Sequence, residues 1–130
     1  MTIAIIGAGL AGLSAADLLK ARGAEVRLFD KGRCAGGRMS TRRAETPMGE
    51  LRWDHGAQYF TARDPAFAEV IEDWVRAEVA AQWHGDLRVI EAVGQPAMPL
   101  KDVPRYVGAS SMNAILKHMA AAHDVTWARR

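Results

Sequence analysis

Cysteine is nearly absent from this chain: Cys34 stands alone among 130 residues. A single thiol excludes an internal disulfide and fits a reducing compartment. Lysine is scarce as well, since 13 of the 17 basic residues are arginine, and against 15 acids the net charge is only +2. So small an excess does not by itself point to nucleic acid. Long apolar runs are also missing. The first sixteen residues carry no charge, but three glycines interrupt them and Asp17 ends them. That run is too short to span a membrane, and without a basic n-region it does not read as a secretory signal. Neither a membrane nor a nucleic-acid partner is expected, and the expected location is cytoplasmic. What is present, 49% hydrophobic and 25% charged residues, suits one folded unit that buries about two thirds of its unfolded surface.

The chain begins with a legible β-α-β pattern. Residues 3–6 form a short, β-branched apolar run stopped by Gly7, as in a buried parallel strand. Leu10, Leu13, Leu18 and Leu19 among alanines predict a helix, with Gly23 placed as its left-handed stop. Residues 25–29 alternate into a second strand, completing a unit of about thirty residues. Residues 39–44 and 51–53 predict two further strands around a turn at Pro47, Met48 and Gly49.

Asp64 followed by Pro65 is an N-cap with proline at the first helical position. Phe67, Val70, Ile71, Trp74 and Val75 then recur at helical spacing. Residues 82–91 predict a hairpin turning at Gly85-Asp86, and residues 95–105, with three prolines, a loop. Ser110 is read as the cap of another helix with Met112, Ile115, Leu116 and Met119 on one face. Residues 124–127 begin a last strand. No internal repeat or low-complexity linker interrupts the chain.

The glycine motif Gly7-Ala8-Gly9-Leu10-Ala11-Gly12 lies between the first strand and the first helix, where a dinucleotide turn belongs. Gly7 makes the tight turn, Gly9 lets backbone approach a pyrophosphate, and Gly12 lets the helix pack closely on the strand. The helix N-terminus offers N–H groups and a positive dipole end to phosphates. Asp30 ends the second strand, eighteen residues beyond Gly12, where a carboxylate accepts from ribose hydroxyls. It also disfavours a 2′-phosphate there, leaving NAD and FAD.

The following stretch carries Lys31, Arg33, Arg38, Arg42 and Arg43 with no acid before Glu45. It lacks the interleaved aromatics and basic helix of a nucleic-acid surface. Gly36-Gly37-Arg38 provides a second close backbone approach and a forked donor for phosphate. A flavin dinucleotide extended across the domain needs such a second glycine pair more than NAD does.

Together the glycine motif, Asp30-Lys31 and Gly36-Gly37-Arg38 resemble the flavin-containing amine oxidase superfamily. "GGRMSTRR", "WDHGAQYFTARDPAF" and, more loosely, "YVGASSMNAILKHMA" resemble its renalase-like branch of FAD-dependent oxidoreductases. The resemblance implies an α/β fold: a Rossmann-like FAD-binding β-α-β domain followed by the start of an inserted α+β substrate domain. It implies that the segment from Asp54 to Tyr59 passes beside the flavin ring. The cofactor-binding set is therefore Gly7, Ala8, Gly9, Ala11, Gly12, Asp30, Lys31, Gly37, Arg38, Gly56, Ala57 and Gln58, with Tyr59 and His55 as weaker members. Asp30 stands where the family often has glutamate, and Cys34 is read as incidental.

No catalytic residue is assigned, because in such proteins the flavin carries the redox step. His55, His84, His118 and His123 lack metal-ligand spacing, and no metal is expected. The implied activity is FAD-dependent oxidation of a small molecule, with a hydride taken from an amine-like or dihydronicotinamide-type donor and electrons passed to oxygen. The alternatives are a general flavin amine oxidase or desaturase-type dehydrogenase, and a non-catalytic truncated dinucleotide-binding fragment. Residues 1–60 are assigned to the FAD-binding part and residues 61–130 to the beginning of the substrate domain. The chain is thus expected to be an N-terminal portion, inactive alone. Its unpaired strands and the partly exposed faces of Phe67, Ile71 and Trp74 are expected to drive self-association.

Overall fold

The computed structural model describes residues 2–85, 87–99 and 103–129. Strand β1 (Thr2–Ile6), helix α1 (Leu10–Ala21) and strand β2 (Glu25–Phe29) form the expected unit. The strands run parallel from Thr2↔Glu25 to Ile6↔Phe29. Gly23 ends α1 in the left-handed region at φ +81°, its N–H donating to the Lys20 carbonyl at 2.9 Å. A side chain there would be strained, which is why glycine marks the stop.

Met39 does not begin a strand. It closes a short 3-10 turn, Gly37–Met39, by donating its N–H to the Gly36 carbonyl at 2.8 Å. Strand β3 therefore starts later (Thr41–Thr46) and pairs antiparallel with β4 (Gly49–Asp54) around Pro47 and Met48. Helix α2 (Pro65–Arg76) starts where its sequence predicts. The Asp64 carboxylate accepts from the Ala66 and Phe67 N–H groups at 2.8 and 3.2 Å. Of its apolar face, Ile71 and Trp74 are buried against expectation, Phe67 is half-buried as expected, and Val70 and Val75 stay exposed. Trp74 meets Phe60 and Phe67 edge-on.

The hairpin expected over residues 82–91 is not formed, although Asp86, half of its expected turn, lies outside the described residues. Strand β5 (Ala80–Gln82) instead pairs with β8 (Tyr106–Gly108), while β6 (Arg88–Val89) pairs with β7 (Met98–Pro99) inside the expected loop. Ala80 is buried against the core and the Tyr106 ring stacks on Phe60. Burial of these groups outweighs a local turn that would have pulled β5 away from them.

Helix α3 (Ala114–Ala120) begins after Ser110, which is not its cap. Ser110 sits at φ +66°, and Asn113 occupies the cap position without a side-chain bond to the helix. The residues between spend their polar groups on a turn, with the Ala114 N–H donating to the Ser111 carbonyl at 3.0 Å. Met112, Ile115, Leu116 and Met119 are all buried, as their spacing predicts.

The strand expected over residues 124–127 is present as β9 (Val125–Thr126). It pairs in parallel with β2 through Leu28↔Val125 and Phe29↔Thr126, giving the sheet order β1-β2-β9. Helix α3 lies against α1, tied by Lys20 Nζ to the Ala122 carbonyl and by His123 Nε2 to Asp17 Oδ1, each at 2.6 Å. The buried cluster also joins Leu13, Ala16 and Leu28 to Ile71, Trp74, Ile115 and Leu116. Packing therefore shows no break at position 60, and residues 61–130 supply part of the core over the first sheet. Each fully buried leucine or isoleucine here stabilises by about 1.5–3 kcal/mol. Among the described residues no helix is long and apolar enough to cross a membrane.

Candidate dinucleotide cleft

Parallel pairing aims the ends of β1 and β2 at the same edge of the sheet, and the chain must turn there to start α1. Gly7 makes this turn at φ +104° and donates its N–H to the Phe29 carbonyl at 2.7 Å. A Cβ at Gly12 would lie 1.9 Å from the Gly7 carbonyl oxygen. The helix thus rests directly on the turn. Gly9 is the N-cap of α1, with no capping side chain and no acid in the first turn. The first N–H groups of the helix are left to the cleft, where the dipole favours an anion.

Two depressions meet at Gly37. The first, about 540 Å³, is lined by Gly9, Leu10 and Ala11 on one side, the 36–39 turn on the other, and Gly56 and Ala57 at its end. The second, about 720 Å³, runs over Ile6, Gly7 and Phe29 to Asp30, Lys31 and Arg129. Gly37 has φ +51°, and a Cβ there would touch Gly9 Cα at 3.4 Å. The two glycine turns therefore face each other with no side chain between them. Gly56 closes on the same loop, since its Cβ would fall 2.1 Å from the Arg38 carbonyl oxygen.

Asp30 does more than line the second depression. Its Oδ2 accepts from the Ala8 N–H and its Oδ1 from the Gly32 N–H, both at 2.6 Å. The carboxylate staples the glycine turn to the loop after β2. Because each carboxylate oxygen has two lone pairs, capacity remains for a ribose hydroxyl.

Of the residues singled out by sequence, Gly7, Gly9, Ala11, Asp30, Lys31, Gly37, Arg38, Gly56 and Ala57 line the two depressions. Ala8 is buried and contributes its N–H to Asp30, while Gly12 lies beneath the turn. Gln58 is exposed and lines neither depression. Arg42 and Arg43 sit on β3 opposite Trp53 and Arg52 and also line neither. His55 Nε2 lies 3.3 Å from Ser40 Oγ. Tyr59 turns to Trp83, with ring centroids 5.9 Å apart. Cys34 borders a separate, smaller hollow with Arg33 and Lys117.

Arg129 was not foreseen. The tail beyond β9 runs along the 30–32 loop, with the Arg129 N–H donating to the Asp30 carbonyl at 3.0 Å and the Ala128 N–H to that of Gly32 at 2.8 Å. Only the pairing of β9 brings it there, and no local motif announces that. With Lys31 and Arg38 it gives the cleft three cations against Asp30, a balance suited to phosphate.

Residues 5–74, more than half of the chain, match the family model of the NAD(P)-binding Rossmann-like domain. The chain belongs to this family. The matched span runs from the end of β1 through α1, β2 and the facing glycine turns to Trp74 in α2. Protoporphyrinogen oxidase 2, chloroplastic/mitochondrial, of Arabidopsis thaliana is 35% identical over 71 residues. That alignment takes in 55% of this chain and 13% of the plant protein.

Proposed function

We propose that this chain holds FAD as the cofactor-binding part of a renalase-like oxidoreductase. The observation that carries the reading is the opposition of Gly9 and Gly37 across a trough that continues to Gly56 and Ala57. Two glycine turns pressed together present bare backbone along one trough, so a ligand can lie across both without meeting a side chain. An extended flavin dinucleotide has that shape, and the two depressions together provide the length.

In this reading Asp30 accepts from the adenosine ribose while holding Ala8 and Gly32. The N–H groups at the start of α1 and the Arg38 guanidinium take the pyrophosphate. Lys31 adds charge beside the ribose, Gly7 and Gly12 set the turn, and Ala11 leaves room over it. Gly56 and Ala57 lie at the flavin end, with Gln58 beyond them. FAD held by these residues would supply hydride acceptance from a small donor and electron transfer to oxygen. The protein orients the ligand and supplies the electrostatics. The renalase-like branch rests on the stretch "WDHGAQYFTARDPAF". The identity to protoporphyrinogen oxidase 2 favours a second reading, a general flavin amine oxidase of that enzyme's kind.

Purified protein is denatured and its supernatant separated on a column, and FAD titration of the stripped protein gives the affinity. Intact, non-covalently held FAD is expected. Recovery of NAD alone, or no saturable binding of FAD, would falsify the assignment. A donor panel of dihydronicotinamides, amines and porphyrinogens then separates the two readings.

A further inference from the structure

The β3-β4 hairpin has no buried residue in either strand, and among the described residues no third strand joins it. Which of its backbone groups are left over follows from its turn. Thr46 and Gly49 flank the two-residue connection and are its hydrogen-bonded closing pair. Bonded and unbonded pairs alternate along an antiparallel ladder. Ala44↔Leu51 and Arg42↔Trp53 are therefore bonded pairs, while Glu50 and Arg52 turn their N–H and C=O groups away from β3. A bare edge of this kind is a template for another strand.

The same alternation sorts the side chains. Leu51 and Trp53 share one face with Ala44 and Arg42, and Glu50 and Arg52 share the other with Glu45 and Arg43. The charged face is poorly matched across the hairpin, because Glu50 stands opposite Glu45 and Arg52 opposite Arg43. Like charges directly opposite destabilise a strand pair. Glu50 and Arg52 bond to each other along the strand at 2.8 Å, with Arg43 and Lys117 attracting Glu50 from further off. So exposed a bond contributes little and is readily exchanged. On the other face Trp53 keeps 46% of its surface in solvent, and Met48 at the turn keeps 84%.

We propose that β4 pairs with β4 of a second copy of this chain, antiparallel and centred on Leu51. In that register Glu50 faces Arg52 of the second copy and Arg52 faces its Glu50, so both mismatched charges gain an opposite neighbour. These two residues also hold the outward backbone groups, so each pair exchanges two N–H···O=C bonds. Leu51 meets Leu51 on the apolar face. Trp53 lies across from Gly49, where open space stands in place of a side chain and the indole can cover the bare backbone. Registers centred one residue to either side fail on charge: one sets Glu50 against Glu50, the other Arg52 against Arg52 and Glu50 against Asp54. The edge of β3 has a similar alternation, Arg43 and Glu45 about Ala44, but its other face offers Arg42 and Thr46 instead of apolar groups. β4 is the edge with apolar area to bury. The pairing does not depend on what the cleft binds.

Sedimentation equilibrium of the 130-residue chain should show a reversible dimer with a Kd on the order of 0.1 mM, since one strand pairing covers little area. Glu50→Arg and Arg52→Glu are the deciding variants. Each sets opposite charges across the hairpin itself, facing Glu45 or Arg43, and so keeps the single chain folded. Either variant alone should dimerise about tenfold more weakly or worse, because two opposite pairs become like pairs. An equimolar mixture of the two should recover association as a mixed dimer. Amide hydrogen exchange reads the edge without a variant: Glu50 and Arg52 should slow as protein concentration rises, and Arg43 and Glu45 should not. A chain still monomeric at about 1 mM, where such a pairing should be populated, overturns the proposal. So do variants that associate like the parent, a mixture that stays apart, or slowing at Arg43 and Glu45 in place of Glu50 and Arg52.

Discussion

A Cβ placed on Gly12 would stand 1.9 Å from the carbonyl oxygen of Gly7. Helix and turn touch backbone to backbone, so nothing flexible can move aside. Gly12→Ala should cost about 1–3 kcal/mol or more, seen as a fall in Tm of about 5 °C or more. Gly9→Ala should differ in kind. Gly9 is at φ −85°, which any residue adopts, and its Cβ would meet nothing nearer than Gly37 Cα at 4.0 Å. Its stability should stay near that of the parent while FAD binding weakens about tenfold, because the methyl adds bulk at the lining of the trough. Thermal melts with FAD titrations of both variants check the pair. Equal Tm losses would refute the distinction.

Asp30→Asn keeps the shape but leaves one of two N–H donors facing an amide NH2. Losing an acceptor for a partly buried donor costs about 1–3 kcal/mol. Hydrogen exchange at Ala8 and Gly32 should quicken in this variant before exchange in α2 does. Unchanged protection at both amides would show that the staple contributes nothing.

Arg38 lines the cleft, whereas Arg42 and Arg43 point to opposite faces of β3 away from it. A charge-assisted hydrogen bond contributes about 1.5–3 kcal/mol, so Arg38→Ala should weaken FAD about tenfold or more. Arg42→Ala and Arg43→Ala should bind within about twofold of the parent in calorimetry, given their exposed sites. A loss in either that equals the Arg38 loss would put the phosphate site elsewhere.

Asp64 caps α2 through two backbone N–H groups. Asp64→Ala should destabilise by about 0.5–2 kcal/mol in urea unfolding. FAD affinity of the folded fraction should be unaltered, since Asp64 lies outside both depressions.

What the sequence made legible is what neighbouring residues decide. β1, α1 and β2 follow from an apolar run, a glycine turn and a glycine stop, and α2 follows from Asp64-Pro65 and its apolar spacing. The same locality makes the glycine motif readable, because turn, helix start and Gly12 contact lie within six residues. The misses are contacts between distant segments. β5 could as well have turned back at Gly85, and only burial of Ala80 and the stacking of Tyr106 on Phe60 send it to β8. β9 is legible as a strand, but nothing in its own residues assigns it to the edge of β2. The place of Asp30 in the cleft was readable from its position; its hold on Ala8 and Gly32 was not, since the carboxylate could have pointed elsewhere. Gln58 shares its stretch with Gly56 and Ala57 but turns to solvent.

The pairing of β9 with β2 also sets a clock. One edge of β2 is satisfied early by β1, as soon as the first thirty residues exist; the other edge waits for Val125 and Thr126. At about 5–20 residues per second, synthesis of the stretch between takes on the order of ten seconds. For that time a nascent chain carries a two-stranded sheet with a bare flank, and closure of the long loop sets the pace once the final strand emerges. Formation of the glycine turn and arrival of the strand that flanks β2 are thus separate events on the ribosome.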